Sequence, residues 1–321
     1  MISRSTFKPA WWLPGAHAQT IWPGLFRHTP DIELVWERLE LPDDDFIDLV
    51  WTIRKTGPIV IVLHGLEGSI NSHYAKGILS ALHICGWRGV LMHFRGCSGE
   101  YNRQARSYHS GETGDFRFLV QTLHERESGE KIAAVGFSLG GNVLLKYLGE
   151  YGNDALIDAA AAVSVPFVLS NGADRLERGL SRFYQSYLLS RLQTKIQDKF
   201  SNRDAPFPVK NIPQWNTFHL FDHYVTATLH GFKNGKTYYK KCSSRQFVKH
   251  IKTPTLIVHA RDDPFMTEDA IPGESELANS VTLELSESGG HVGFIGGVLP
   301  WRPEYWLHQR LPLFLQSYLD T

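Results

Sequence analysis

Short apolar runs rich in β-branched residues alternate with amphipathic segments along most of this chain of 321 residues. The run PIVIVLHG at 58–65 is continuously apolar, which is typical of a strand that is covered on both faces. Helical spacing of apolar residues marks the segments 72–87, 114–126 and 141–151. Further strands are predicted at 88–96, 131–138, 159–167, 253–263 and 280–287. This alternation predicts an α/β fold, in which a mostly parallel sheet carries helices on both faces.

The interval from 168 to 250 departs from this rhythm. It begins with a helical pattern and continues through the loop-like stretch SNRDAPFPVKNIPQ, and its basic stretch KNGKTYYKK at 233–241 predicts a solvated loop. We therefore predict a core formed by residues 1–167 and 251–321, with residues 168–250 inserted as a helical cap. The C-terminal segment is predicted to form a helix that Pro312 kinks or breaks.

Composition and simple sequence patterns argue against several classes of protein. The formal net charge is zero, which does not favour a nucleic-acid partner. The three cysteines, Cys85, Cys97 and Cys242, form no C-x-x-C motif and are typical of a reducing compartment. The N-terminus lacks the apolar centre of a signal peptide, and no apolar run is long enough for a membrane-spanning helix. A soluble cytoplasmic protein without a transmembrane segment is predicted.

One serine, Ser138, stands between two glycines in the stretch VGFSLGGN, directly after a predicted strand and before a predicted helix. The pattern G-x-S-x-G in this context is typical of a catalytic nucleophile on a sharp turn. Gly136 and Gly140 allow the strand and the helix to approach each other, and the helix N-terminus favours developing negative charge. The alternative is a serine that only serves the turn, and the flanking elements favour the nucleophile.

A serine hydroxyl becomes a strong nucleophile when a base takes its proton and an acid orients that base. The stretch VHARDDPFM places Asp262 and Asp263 at the end of a predicted strand, and SESGGHVGF places His291 in a glycine-rich loop after the last one. Serine, acid and histidine in this order form a known triad arrangement. We predict Asp263, which precedes a proline, as the acid, and Asp262 remains the alternative.

Acyl transfer also requires donors for the oxyanion. The amide of Leu139, directly after the serine, is predicted as one donor. The loop LHGLEGS after an early strand is predicted to supply the other through the amide of Leu66, with His64 shaping the turn.

Other features predict structural roles. His219 and His223 have i, i+4 spacing, but no third zinc ligand lies close in sequence, so no metal site is predicted. Arg95 is predicted to form an internal ion pair or brace a loop, with anion binding as the alternative. The N-terminal stretch WWLPGAHAQTIWP is predicted to brace the N-terminal arm against the core, with lining of the acyl pocket as the alternative. No nucleotide-binding glycine motif is present, and no cofactor is predicted.

The blocks WWLPGAHAQTIWP, LHGLEGSINSHY, HFRGCSGE, YHSGET, GFSLGGN, HARDDPF and GGHVGF follow one another in this order. On these blocks the chain resembles the AB hydrolase 4 family, the YheT-like branch of the α/β-hydrolase superfamily, over nearly its whole length. The resemblance implies an α/β-hydrolase fold of the eight-stranded type with a helical cap. It also implies a triad carried by Ser138, Asp263 and His291 in a carboxylic-ester hydrolase.

The sequence thus predicts a serine hydrolase of carboxylic esters, with a small-molecule ester or lipid-like substrate of short or medium acyl chain. Two alternatives stay open. One is an acyltransferase that uses the same triad with an alcohol as acceptor, and the other is a binding protein on the same scaffold without catalysis.

Overall fold

A computed structural model describes residues 1–320, and a nine-stranded sheet forms its centre. The strands are β1 (Ile2–Arg4), β2 (Leu34–Glu40), β3 (Phe46–Thr52), β4 (Ile59–Leu63), β5 (Arg88–Met92), β6 (Ile132–Phe137), β7 (Ala159–Val163), β8 (Thr255–Ala260) and β9 (Val281–Ser286). Their spatial order is β1-β9-β8-β7-β6-β4-β5-β3-β2. Neighbouring strands are parallel except where β3 pairs with β2 and β5. The predicted mostly parallel sheet is confirmed, and β1 extends it at one edge.

Helices cover the sheet and fill the long connection between β7 and β8. They are α1 (Ala16–Phe26), α2 (Ala75–Ile84), α3 (Gly114–Arg126), α4 (Leu139–Tyr151), α5 (Leu169–Leu176), α6 (Ser181–Lys199), α7 (Phe218–Phe221), α8 (Ala227–Leu229), α9 (Gly235–Cys242) and α10 (Leu307–Leu319). A π-helical turn, Asp222–Thr226, joins α7 to α8, and a hairpin of β10 (Ile295–Leu299) and β11 (Arg302–Tyr305) precedes α10. Among residues 1–320, no helix has both the length and the apolar character needed to cross a bilayer.

The strand β4 illustrates why the central strands are apolar throughout. Ile59 and Ile61 pack into the layer that contains α3 and α4, whereas Val60 and Val62 pack into the layer of α2 and α10. Successive side chains of a strand point to opposite faces, and both faces of this sheet are covered. The continuous apolar runs in the sequence follow directly from this double burial.

Between β7 and β8 the chain is helical and has a hydrophobic cluster of its own. This cluster includes Leu189, Ile212 and Phe221, and Leu66 and Phe265 of the loops after β4 and β8 pack against it. The division into a core of 1–167 and 251–321 and a cap of 168–250 stays a prediction. The last residue of the predicted core, Thr321, lies outside the described residues.

Two local predictions are wrong. The predicted break at Pro312 does not occur, because α10 continues through this buried residue to Leu319, while a kink there stays a prediction. The stretch 233–241 is not a solvated loop, because it contains most of α9, whose Tyr238 and Tyr239 are buried. The side chain of Asn234 caps this helix by accepting a hydrogen bond from the Thr237 amide at 2.9 Å, which is a signal that the sequence carries.

Candidate active site

Ser138 occupies a strained turn between β6 and α4. Its backbone has a positive φ of 51°, which is rare for a residue other than glycine. The turn is tight enough that a Cβ on Gly136 would lie 2.5 Å from the Gly140 carbonyl oxygen, and one on Gly140 equally close to that of Leu63. The two glycines therefore allow the turn that brings the Ser138 hydroxyl to the carboxyl edge of the sheet.

A chain of hydrogen bonds joins Ser138 to His291 and Asp263. The Nε2 atom of His291 lies 2.9 Å from the Ser138 hydroxyl oxygen, and its Nδ1 atom lies 2.8 Å from Asp263 Oδ2. The imidazole also stacks on the ring of Phe265, with 3.9 Å between ring centroids. Three residues that lie far apart in sequence are thus brought within proton-transfer distance of one another.

The two neighbouring aspartates make different contacts. Asp263 is buried, and its second carboxylate oxygen accepts the Phe265 amide at 2.8 Å, which fixes the carboxylate against His291. Asp262 instead accepts the amide of Gly290 at 2.9 Å, and burial raises its pKa. The structure brings Asp263 to the imidazole, whereas Asp262 supports the loop that carries it.

Leu66 and Leu139 both line the cavity that contains Ser138. Leu139 is the first residue of α4, and the loop carrying Leu66 is so close that a Cβ on Gly65 would lie 3.4 Å from Ser138 Cβ. Within residues 1–320, neither the Leu66 amide nor the Leu139 amide has a hydrogen-bond acceptor. Both predicted donors are therefore unpartnered in this part of the chain, and their role as oxyanion donors stays a prediction.

The cavity has a volume of about 140 Å³, and Ser138 and His291 line it. Much of its remaining wall is apolar and comes from the helices between β7 and β8, including Leu176, Leu192 and Phe221. A cavity whose wall is largely apolar and which also presents polar groups that can orient a ligand is the usual form of a small-molecule site.

The N-terminal arm holds the loop of His291, a role that the sequence indicated only as a general brace. The Thr20 hydroxyl accepts the His291 amide at 2.9 Å. The buried side chain of Gln19 donates to the Ile295 carbonyl at 3.0 Å and accepts the Ile295 amide at 2.8 Å. Trp11 and Trp12 donate to carbonyls of the β10–β11 hairpin.

His64 and Arg95 have structural contacts. The ring of His64 contacts the Gly65 carbonyl through Nδ1 and accepts the Phe94 amide through Nε2. Burial lowers the pKa of His64 to about 3. Arg95 is buried among three carboxylates, those of Asp43, Asp45 and Asp115. Both residues brace loops at the carboxyl edge of the sheet.

The one group of potential metal ligands with suitable spacing among residues 1–320 does not include His219 or His223. His219 pairs with Asp174 at 2.7 Å, whereas ligand atoms of His109, Glu112 and His230 lie within 4.8 Å of one another. The Nδ1 atom of His109 accepts the amide of Gly111, so its Nε2 atom carries the proton and lies 3.6 Å from Glu112. A protonated Nε2 offers no lone pair, and this group therefore fits a hydrogen-bonded histidine better than a metal centre.

Known proteins share this architecture. The chain matches the α/β hydrolase fold family over residues 58–298. It is 44% identical to YheT of Escherichia coli (strain K12), a proposed esterase, with 99% of this chain and 95% of that protein covered. It is 28% identical to the mouse phospholipase ABHD3 over 95% of this chain and 77% of the relative. It is 33% identical to the monoacylglycerol lipase of Saccharomyces cerevisiae (strain ATCC 204508 / S288c) over 74% of this chain and 55% of the relative.

A solved structure, the esterase Pf2001 of Pyrococcus furiosus, superposes with a TM-score of 0.58 at 18% identity. The alignment covers 91% of this chain and 98% of the esterase, and this similarity shows the fold. The esterase and lipase relatives support ester hydrolysis in general terms. On the family match and the near full-length identity to YheT, the chain belongs to the α/β-hydrolase family as a YheT-like member.

Proposed function

We propose that this protein is a serine hydrolase of carboxylic esters that acts through a covalent acyl-enzyme. The observation that carries the proposal is the hydrogen-bonded chain from Ser138 through His291 to Asp263, with distances of 2.9 and 2.8 Å. These are the contacts that a serine nucleophile, its base and an orienting acid require.

In the first half of the reaction, His291 Nε2 takes the hydroxyl proton while Ser138 Oγ attacks the ester carbonyl carbon. Asp263 holds the imidazole with its proton on Nδ1 and stabilises the imidazolium that forms. The amides of Leu66 and Leu139 donate to the carbonyl oxygen as it becomes negative. The C–O bond to the alcohol then breaks, and His291 returns the proton to the departing oxygen.

In the second half, water replaces the alcohol. His291 takes a proton from the water, the hydroxide adds to the acyl carbon, and the bond to Ser138 Oγ breaks as the oxygen regains a proton. The free acid leaves and the serine is restored. In these two reaction steps, the catalytic groups are side chains and backbone amides of the protein.

We further propose that the helices of residues 168–250 act as a cap over the acyl group. Their apolar side chains supply much of the cavity wall. The cavity volume of about 140 Å³ favours a short or medium acyl chain.

We expect a fluorophosphonate probe to label Ser138, because its phosphorus is attacked by an activated serine and the product resembles a tetrahedral intermediate. Mass spectrometry of the digested protein should place the adduct on Ser138. Ser190→Ala, which changes an exposed serine of α6, should label at the wild-type rate. The absence of an adduct on the folded protein would favour the non-catalytic binding protein.

A series of p-nitrophenyl esters from acetate to dodecanoate tests the acyl pocket. Burial of one methylene contributes about 0.8 kcal/mol, so kcat/KM should rise roughly fourfold for each added carbon until the chain outgrows the cavity, and then fall. Chromatography of the products in the presence of ethanol should recover mostly free acid. Predominant formation of ethyl esters would favour the acyltransferase, and a rate independent of chain length would contradict the apolar acyl pocket.

A further inference from the structure

The amide of Leu66 lies between two amides that tyrosine hydroxyls hold. Gly65 donates its N–H to the hydroxyl oxygen of Tyr74 at 2.8 Å, and Glu67 donates its N–H to that of Tyr108 at 2.8 Å. Within residues 1–320, the Leu66 amide between them has no acceptor. The flanking hydrogen bonds fix the direction of both neighbouring peptides, so the Leu66 N–H has a fixed orientation although it has no acceptor.

The turn that carries Leu66 has an unusual residue at its third position. The Gly68 amide donates to the Gly65 carbonyl at 3.0 Å, which closes a turn around Leu66 and Glu67. Glu67 has a positive φ of 52°. That position of such a turn favours glycine or asparagine, because a side chain is strained there. A glutamate is retained only if contacts of its side chain and backbone hold it.

Those contacts come from Tyr108 and from helix α6. The Tyr108 hydroxyl donates to Glu67 Oε1 at 2.8 Å, and Lys195 Nζ donates to the same oxygen at 2.7 Å. Arg191 Nη2 donates to the backbone carbonyl of Glu67 at 3.3 Å. The side chains of Glu67 and Lys195 are only 5% and 14% exposed, so solvent screens this ion pair little.

Arg191 and Lys195 are four residues apart and therefore share one face of α6, a helix of the proposed cap. The same cap helix thus contacts both the carboxylate and the backbone of the residue next to Leu66. A displacement of α6 away from the core would remove both cations from the turn. Among residues 1–320, the strained Glu67 would then keep only Tyr108 as a side-chain partner.

We propose that Glu67, Tyr108 and Lys195 are positioning residues, which hold the Leu66 amide for the developing oxyanion and make its placement depend on the docking of α6. This inference rests on the proposed function, because it concerns the oxyanion donor of the same site. It assigns the ion pair to catalysis and not only to stability. Full transition-state stabilisation then requires the docked helix, which couples cap closure over a substrate to the chemical step.

The variant Tyr108→Phe removes the hydroxyl that accepts the Glu67 amide and donates to its carboxylate. Loss of a whole oxyanion donor costs about 10²–10³ in kcat, so a displaced donor should lower kcat for p-nitrophenyl butyrate by roughly tenfold to a hundredfold, with KM nearly unchanged. Tyr147→Phe is the matched control, because its buried hydroxyl donates to the Ala155 carbonyl in another part of the core. This control should keep the wild-type kcat.

Inhibition by a trifluoromethyl ketone separates positioning from simple stabilisation. Attack by Ser138 on this ketone produces an oxyanion, so its Ki in Tyr108→Phe should rise by the same factor by which kcat/KM falls. Lys195→Met should likewise raise Ki and lower kcat/KM. Lys195→Arg keeps the positive charge and should give values of Ki and kcat/KM near those of the wild type. Arg182→Met changes an exposed cation of the same helix and should alter neither.

Wild-type kcat and Ki in both Tyr108→Phe and Lys195→Met would overturn the positioning role. If Tyr108→Phe does not fold, the comparison of Lys195→Met with Lys195→Arg decides. An active Ser138→Ala protein would refute the proposed function itself, whereas an inactive one beside normal Tyr108→Phe and Lys195→Met proteins would refute only the positioning.

Discussion

Replacing Ser138 with alanine is expected to lower kcat/KM for p-nitrophenyl butyrate by about 10⁴- to 10⁶-fold, which is the range for loss of a triad nucleophile. The substitution removes the atom that forms the acyl bond, while the amides of Leu66 and Leu139 and the cavity remain. Initial rates at several substrate concentrations, with the substrate hydrolysed without enzyme as reference, measure the effect.

The fold should tolerate this change. Alanine retains the Cβ, so the strain of φ 51° at the turn is unchanged, and the main loss is the hydrogen bond to His291. The melting temperature and circular dichroism should therefore match those of the wild type, and Ser190→Ala should match it in activity as well. A Ser138→Ala protein that is folded and turns over at the wild-type rate would contradict the proposed nucleophile.

Most of the central sheet could be predicted from the sequence because its strands are buried on both faces. The strands from β4 to β9 each lie within a predicted apolar run, and the largest differences from the predicted bounds lie at the carboxyl ends, where β5 ends at Met92 and β7 at Val163. Beyond these points the chain turns into the loops that form the site. Residues in such loops can be apolar for reasons other than strand formation, as Phe94 and Phe167 are in the core.

The sequence did not indicate the strands at the two edges of the sheet. β1 has three residues, and β2 has Val35 and Trp36 exposed while Leu39 is buried, so no clean alternation marks it. Edge strands derive their position from pairing with a neighbour, here β9 for β1 and β3 for β2. A pairing partner far along the chain leaves no local signal.

The residues of the candidate site likewise fall into those that the sequence could identify and those that it could not. Ser138 and His291 could be found because each lies in a glycine-rich motif directly after an apolar strand. Thr20 and Tyr108 could not, because their contacts with His291 and Glu67 span 271 and 41 residues. A hydroxyl group that holds a distant loop looks, in sequence, like any other hydroxyl.

The choice between the two aspartates also needed coordinates. Both lie within three residues of the end of β8, and in the sequence the proline after Asp263 is the feature that favours it. In the structure that proline leads into Phe265, whose amide binds the Asp263 carboxylate and whose ring stacks on His291. One short stretch thus orients both the proposed acid and the proposed base.

Asparagine at position 263 should lower kcat for p-nitrophenyl butyrate by about 10⁴-fold, the size of effect expected when the imidazole has the wrong tautomer. An amide N–H facing His291 Nδ1 would donate to it, which leaves the proton on Nε2. That proton would point at the Ser138 hydroxyl, and Nε2 would have no lone pair with which to take the serine proton. Stopped-flow measurement of p-nitrophenol release gives the acylation rate, in which the loss should appear.

Asparagine at position 262 is the matched control, because it changes the neighbouring residue in the same way. The Asp262 carboxylate accepts the Gly290 amide, and the carbonyl oxygen of an asparagine side chain can accept it equally well. The kcat of Asp262→Asn should therefore stay within about tenfold of the wild-type value. Replacing the charged acceptor of one hydrogen bond by a neutral acceptor costs about 1 kcal/mol. If Asp262→Asn is instead the more damaged variant, the acid of the triad is Asp262, and the contact of 2.8 Å between Asp263 and His291 does not orient the base.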